Sequence, residues 1–241
     1  MTHICDDFAY GNGPVEGCFW SQTTGAAAFP ALSGEKWVDV AVIGAGYTGL
    51  SAALHLVEAG MNVALLDAKQ PGWGASGRNG GFCCLGGSHI ELTSLTKRIG
   101  ERDAREYFLA ERDAITLVAD LLARHGIQAD PHSDGETILA HRKRDVLLLE
   151  RKAKELSDLF GISASVLTPS DLSRQGMRGP FHGGLTVPIG FALNPLKYAL
   201  GLAQAASAAD NVRHGDAGSR LRGGVVRGRS DGAGGRLGLR R

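Results

Sequence analysis

The residue types best suited to chemistry sit close together early in the chain. Gly44-Ala45-Gly46-Tyr47-Thr48-Gly49 spells G-x-G-x-x-G, and Asp67 follows Gly49 by 18 residues. Each position has a physical job in holding a dinucleotide. Gly44 permits a sharp turn, Gly46 leaves room for a pyrophosphate, and Gly49 lets a helix approach a strand. Ala45, Tyr47 and Thr48 contribute backbone N–H groups beside them. A carboxylate at the distance of Asp67 suits the hydroxyls of a ribose. A second glycine-rich run, Pro71-Gly72-Trp73-Gly74-Ala75-Ser76-Gly77-Arg78-Asn79-Gly80-Gly81, comes directly after. Its glycines free the backbone to approach a ligand, and Ser76, Arg78 and Asn79 add donors.

These residues need a scaffold, and the flanking sequence predicts one. Val38 to Ile43 is rich in β-branched residues and reads as a buried strand. A helix is expected from Tyr47 to about Ala59, with Gly60 as its stop. Asn62 to Leu66 reads as the next strand, ending at Asp67. Strand, glycine turn, helix, strand and acid in that order make the fingerprint specific, where a lone G-x-G-x-x-G would be weak.

Composition excludes several classes. The chain has 241 residues, 43% of them hydrophobic, and a formal net charge of +1. That balance points to neither nucleic acid nor an anionic membrane surface. No apolar run approaches membrane-spanning length, and the start of the chain lacks the pattern of a signal peptide. Cys5, Cys18, Cys83 and Cys84 show no C-x-x-C spacing, so free thiols in a reducing compartment, the cytoplasm, are expected. No metal-ligand spacing occurs, and no metal is expected. Ser76 does not form a nucleophile elbow, because Arg78 stands where the last glycine of G-x-S-x-G belongs. The phosphate loop ending in Gly-Lys-Ser/Thr is also absent.

Beyond the glycine-rich stretches the pattern is mixed. Residues 1–36 form an arm, with Phe19, Trp20, Phe29 and Leu32 as anchors. Residues 37–90 hold the dinucleotide unit. Residues 91–210 alternate helical and strand patterns. Helices are expected over 91–125 with a break at Gly100, from Lys143 to Phe160, and from Asn194-Pro195 to about Ala208. Thr168-Pro169-Ser170-Asp171 opens a short helix with proline in its first turn. Short strands are expected at Thr137–His141, Ser163–Leu167 and Leu185–Val187. Residues 211–241 are dominated by Gly and Arg and read as a disordered tail. His182 reads as a turn residue that could also face a substrate. The fold class is α/β, a Rossmann-like unit with a parallel sheet core beside an α+β portion.

Three strings carry a resemblance to a known family. They are Phe19-Trp20 through Pro30-Ala31-Leu32-Ser33-Gly34, then VAVIGAGYTGLSAALHL, then PGWGASGRNGGF. Together they resemble the FAD-dependent amine and amino-acid oxidoreductases of the D-amino-acid-oxidase and glycine-oxidase superfamily, and most of all its gamma-glutamylputrescine oxidoreductase type. The resemblance implies FAD rather than NAD, with Ser76, Gly77, Arg78, Asn79, Gly80 and Gly81 running beneath the cofactor. It implies oxidation of a small amine or amino acid, with molecular oxygen as electron acceptor, and assigns no acid or base. It fades after about Ala209, so a truncated or frame-shifted product is expected. The competing readings are a non-catalytic fragment and an NAD-dependent dehydrogenase, the latter disfavoured by the Ser76–Gly81 loop.

Overall fold

A computed structural model of the chain describes residues 17–25, 29–32, 35–87, 90, 92–213, 223–227 and 237–239. Its contacts separate two compact units. The first gathers the described residues of Met1–Gly81, Leu121–Asp130 and Leu193–Arg241, and the second those of Phe82–Asp120 and Pro131–Ala192. By contact, the helix after Pro195 belongs with the glycine-rich stretches.

The first unit starts with a short helix α1, Phe19–Gln22. Strands β1, Lys36–Val38, and β2, Val40–Ile43, replace the single strand expected, with Asp39 between them. Asp39 accepts a hydrogen bond from the Asn62 N–H at 2.9 Å, which fixes the break. Helix α2, Tyr47–Glu58, follows the glycine turn, and β3, Val63–Asp67, runs parallel to β2 with Val42 opposite Leu65. A strand followed by a parallel neighbour needs such a crossover, and the helix provides it.

The inner face of α2 is apolar at i, i+3, i+4 and i+7 spacing. Leu50, Ala53, Leu54 and Val57 are all buried. Gly60, at φ +91°, takes the left-handed conformation just past its end. Across from α2 lies the long helix at 195–213, which buries Tyr198, Ala199, Leu202 and Ala203. Small residues on that helix allow a close approach. At Gly201 an added Cβ would stand 2.2 Å from the Ile127 side chain.

The second unit begins with β4, Phe82–Cys84, then α3, Leu92–Ile99, and α4, Glu101–Arg124, whose last turn counts with the first unit. Gly100, at φ +86°, breaks α3 from α4 as the sequence predicts. Strand β5, Glu136–Leu139, is followed by α5, Lys143–Phe160, which ends at Gly161 in the left-handed region. Then come β6, Ser165–Leu167, α6, Pro169–Arg174, β7, Gly184–Val187, and β8, Gly190–Ala192. The order β5-β7-β6 is antiparallel throughout, and β4 pairs antiparallel with β8. Ala140, Leu149, Leu156, Leu185 and Val187 form the buried cluster between this sheet and α5.

Helix α6 carries a capping box. Thr168 accepts from the Asp171 N–H at 3.2 Å, and the Asp171 carboxylate accepts from the Thr168 N–H at 2.9 Å and from its hydroxyl at 2.6 Å. The Thr168 hydroxyl and N–H, with Arg174 beside them, hold the Asp171 carboxyl down at about 2. A lowered pKa means stability that is fully present above about pH 4 and lost as pH falls through about 2. The first turn of α6 is therefore expected to loosen only in strong acid. An Asp171 carboxyl titrating near 4 by NMR would overturn this.

The chain closes with α7, Pro195–Arg213, and two further strands. Strand β9, Gly223–Arg227, pairs parallel with β3, and β10, Leu237–Leu239, pairs parallel with β1. Both lie in the Gly- and Arg-rich stretch that the sequence reads as a tail. An edge strand offers a row of unmet N–H and C=O groups, and backbone pairing there does not depend on a hydrophobic period. The remaining residues of the tail lie outside the described ones.

Candidate functional site, a dinucleotide cradle at the start of helix α2

The glycine turn leaves β2 at Gly44, which sits at φ +102° and donates its N–H to Leu66 O at 2.7 Å. Gly46 is the N-cap of α2 and offers no side chain to its first turn, which contains no acidic residue either. A helix start of this kind presents N–H groups and partial positive charge to an anion. Gly49 lies one turn inside, where an added Cβ would stand 1.9 Å from Gly44 O. Helix and turn are therefore in direct backbone contact, as the spacing predicts.

Asp67 reaches back to the same turn. One carboxylate oxygen accepts from the Ala45 N–H at 2.7 Å and the other from the Lys69 N–H at 2.7 Å. Sequence reasoning gave this residue the ribose alone. The structure adds a bracing role, in which a charge-assisted bond ties the end of β3 to the glycine turn. Each oxygen keeps a second acceptor position, so a ribose diol can still be bound.

The second glycine-rich run closes on the first. The Tyr47 N–H donates to Ser76 Oγ at 3.0 Å, and an added Cβ on Gly46 would also meet Ser76 Oγ at 3.0 Å. Ser76 thus sits at the mouth of α2, in a short 3-10 turn, Ala75–Gly77. Gly77 is buried against Gly72 O and Leu196. Gly80 is exposed and Gly81 is buried beneath Leu193 O, to which it comes too close for any Cβ.

Arg78 and Asn79 both make contacts within the loop. The Arg78 guanidinium lies over the Trp73 ring at 5.0 Å, with its Nε donating to Gly74 O at 3.2 Å. Asn79 Nδ2 donates to Ala75 O and Ser76 O, both at 3.1 Å, and its Oδ1 accepts from the Gly81 N–H at 2.8 Å. Both side chains hold the loop in shape.

Several supporting residues were not legible as such. The Trp20 indole donates to Asn79 O at 2.8 Å and so latches the arm onto the loop. Phe19, expected as an anchor with it, is 65% exposed. Asn194 is the buried polar residue of the described core. It donates to Thr23 Oγ1 at 2.7 Å and accepts from the Lys197 N–H at 3.1 Å, capping α7. The Tyr47 hydroxyl donates to Pro195 O at 3.1 Å. Asn194-Pro195 is a visible helix start in the sequence, but partners 171 and 148 residues away are not.

Other candidates fall outside this cradle. His182 is exposed, and its backbone N–H donates to Ala140 O at 2.9 Å. Cys18, Cys83 and Cys84 are free thiols. Burial, then the neighbouring Cys84, pushes the Cys83 thiol up to about 11. Among the described residues no group of three His, Cys, Asp or Glu is placed to hold a metal. No helix among them is long and apolar enough to cross a membrane.

The fold and the cradle define a dinucleotide-binding protein of the Rossmann class. Comparison with known proteins narrows this. The model of the family described as FAD dependent oxidoreductase matches residues 39–234, and the chain belongs to that family, whose cofactor is FAD. The match runs past Ala209, where the resemblance was expected to stop. The chain is 34% identical over 178 residues to the probable oxidoreductase OrdL of Haemophilus influenzae, covering 73% of this chain and 41% of that protein. It is 31% identical over 179 residues to gamma-glutamylputrescine oxidoreductase of Escherichia coli, covering 74% and 42%. It thus spans about two fifths of the length of these curated relatives. The fold is similar to that of glycine oxidase from Geobacillus kaustophilus, with a TM-score of 0.58 at 21% identity over 80% of this chain and 47% of that one. It is also similar to L-amino acid deaminase from Proteus myxofaciens, with a TM-score of 0.61 at 16% identity over 83% and 41%.

The residues present fit FAD. The N-cap residue of α2, Gly46, has no side chain, the two glycine-rich loops meet at Gly46 and Ser76, and Asp67 stands at the end of β3.

Proposed function

We propose that this chain binds FAD between Gly44–Gly49, Asp67 and Ser76–Gly81, and that the protein oxidises an amine or amino acid. The observation that carries this reading is the bond from the Tyr47 N–H to Ser76 Oγ, which brings both glycine-rich loops to one helix start. FAD held there would supply the two-electron oxidation of a substrate C–N bond to an imine, with molecular oxygen as the terminal acceptor. The chain's own residues bind and orient. Gly46 and the start of α2 receive the pyrophosphate, and Asp67 accepts the ribose hydroxyls. The backbone of Ser76–Gly81, held by Arg78 and Asn79, lies along the rest of the cofactor. The relatives named for gamma-glutamylputrescine, glycine and L-amino acids support a substrate of that chemical class. Free thiols suit the cytoplasm as its place of work.

Titration of the purified chain with FAD, followed by quenching of flavin fluorescence, tests the reading. Saturable binding with one site per chain is expected, and a chain that ignores FAD would overturn it. Asp67→Ala should weaken binding at least tenfold. Two charge-assisted bonds to a ribose are worth about 1.5–3 kcal/mol each, and the brace to Ala45 is lost as well. Unchanged affinity would remove Asp67 from the site.

A further inference from the structure

The arm ahead of the dinucleotide unit is fastened to the second glycine-rich loop, and the flavin reading gives that fastening no role. None of the four side chains of α1 is buried, and Phe19 stands mostly in solvent. Polar contacts therefore carry much of its attachment. The Trp20 indole N–H donates to Asn79 O at 2.8 Å. Thr23, the C-cap of α1, accepts through its hydroxyl from Asn194 Nδ2 at 2.7 Å and donates to Trp20 O at 2.7 Å. Asn194 is only 3% exposed, so lifting the arm takes away the acceptor of a buried amide.

The two anchors of the arm are themselves joined. The Leu193 N–H donates to Gly81 O at 2.9 Å, and the Gly81 N–H donates to Asn79 Oδ1 at 2.8 Å. Arm, loop and the start of α7 thus close a circuit of hydrogen bonds. Asn79 carries that circuit on to the cradle. Its Nδ2 donates to Ala75 O and Ser76 O, and Ser76 Oγ receives the Tyr47 N–H at the mouth of α2. Whatever holds Asn79 still therefore holds the wall of the pyrophosphate gap.

We propose that the arm is a latch on this loop, with Trp20 and Thr23 as positioning residues that set how long FAD stays bound. The ligand rests on the flavin reading, whereas the latch is a property of the chain without cofactor. Once the bond from Trp20 to Asn79 is lost, the loop lifts from the helix start more often, and a bound dinucleotide leaves through the gap. Entry also needs an open gap, so a looser loop does not slow it.

Brief trypsin treatment of the full chain without FAD tests the latch through Arg78, whose guanidinium lies within the loop over Trp73. Trp20→Phe keeps an aromatic ring and removes the donor. Cleavage after Arg78 is expected to be about fivefold faster in this variant, the usual net worth of one neutral hydrogen bond. Thr23→Val should act in the same direction, and Thr23→Ser, which keeps the hydroxyl, should restore the parent rate. Release of FAD on dilution, followed by the return of flavin fluorescence, should quicken about fivefold in Trp20→Phe, with association no slower. A purely structural loss would instead lower the fraction of chains that bind and leave the release rate of the rest as in the parent. Parent-like cleavage after Arg78 in Trp20→Phe, or faster cleavage with unchanged release of FAD, would overturn the proposal. A parent chain that binds no FAD, beside a variant that is cut faster, would sink the flavin reading and the role in retention while the latch itself stood.

Discussion

Gly49→Ala is expected to lower the stability of the chain by about 3 kcal/mol, at the upper end of the usual cost of overpacking. The substitution looks benign from sequence alone. Alanine in place of glycine inside a helix normally gains about 1 kcal/mol. Here the new Cβ would stand 1.9 Å from Gly44 O, 3.1 Å from Gly44 C and 3.3 Å from the Val42 side chain. Two of these are backbone atoms of the turn, and Gly44 is already tied to Leu66 O. The overlap is relieved only by moving α2 off β2, which opens the packing of Leu50, Ala53 and Leu54. The clash therefore outweighs the propensity. Thermal unfolding followed by circular dichroism should show the transition about 6–12 °C lower. An unchanged or raised midpoint would show that the helix has more room than the structure gives it.

Gly46→Val should act in the opposite way, leaving the fold intact and removing FAD. The Cβ of Gly46 would meet Ser76 Oγ at 3.0 Å and Ser76 Cβ at 4.0 Å, with no other described atom within 4 Å. A serine hydroxyl can rotate aside, so the chain should accept the substitution. The space that the valine methyls would fill is the gap between the two glycine-rich loops, where the pyrophosphate belongs. Affinity for FAD should fall at least a hundredfold, which corresponds to about 2.8 kcal/mol. Circular dichroism should match the parent chain, and flavin titration should show the loss. Normal affinity in a folded variant would exclude this turn from the site. Set beside Gly49→Ala, it separates two glycines of one fingerprint into a packing role and a ligand role.

The local half of this architecture could be read in advance, and the distant half could not. Helix α5 was expected from Lys143 to Phe160 and spans those residues, because its apolar stripe and Gly161 mark both period and end. Gly100 and Gly60 stop helices as expected, since a positive φ is a property of one residue. Strands β4 and β8 were missed. Each is three residues long, and β8 begins at a glycine, so neither shows a period. Strand β9 begins Gly223-Gly224 and was hidden for the same reason. In the cradle, the turn at Gly44, the helix start at Gly46 and the close packing at Gly49 were legible from spacing. The loop contacts of Arg78 and Asn79 were not legible, because they depend on where Trp73, Ala75 and Gly81 stand in three dimensions.

The pairing of β3 with β9 sets a schedule for how the molecule is built. Val63 lies opposite Gly223, and Asp67 opposite Arg227. Within this chain the second unit ends at Ala192, whereas the first also includes α7, β9 and β10. Closing so long a loop carries an entropic cost before any contact repays it, and contacts this remote in sequence form slowly. During synthesis the outer edge of β3 and the apolar face of α2 stand ready long before their partners emerge. Within this chain the cradle residues are made well before the strand that pairs with β3.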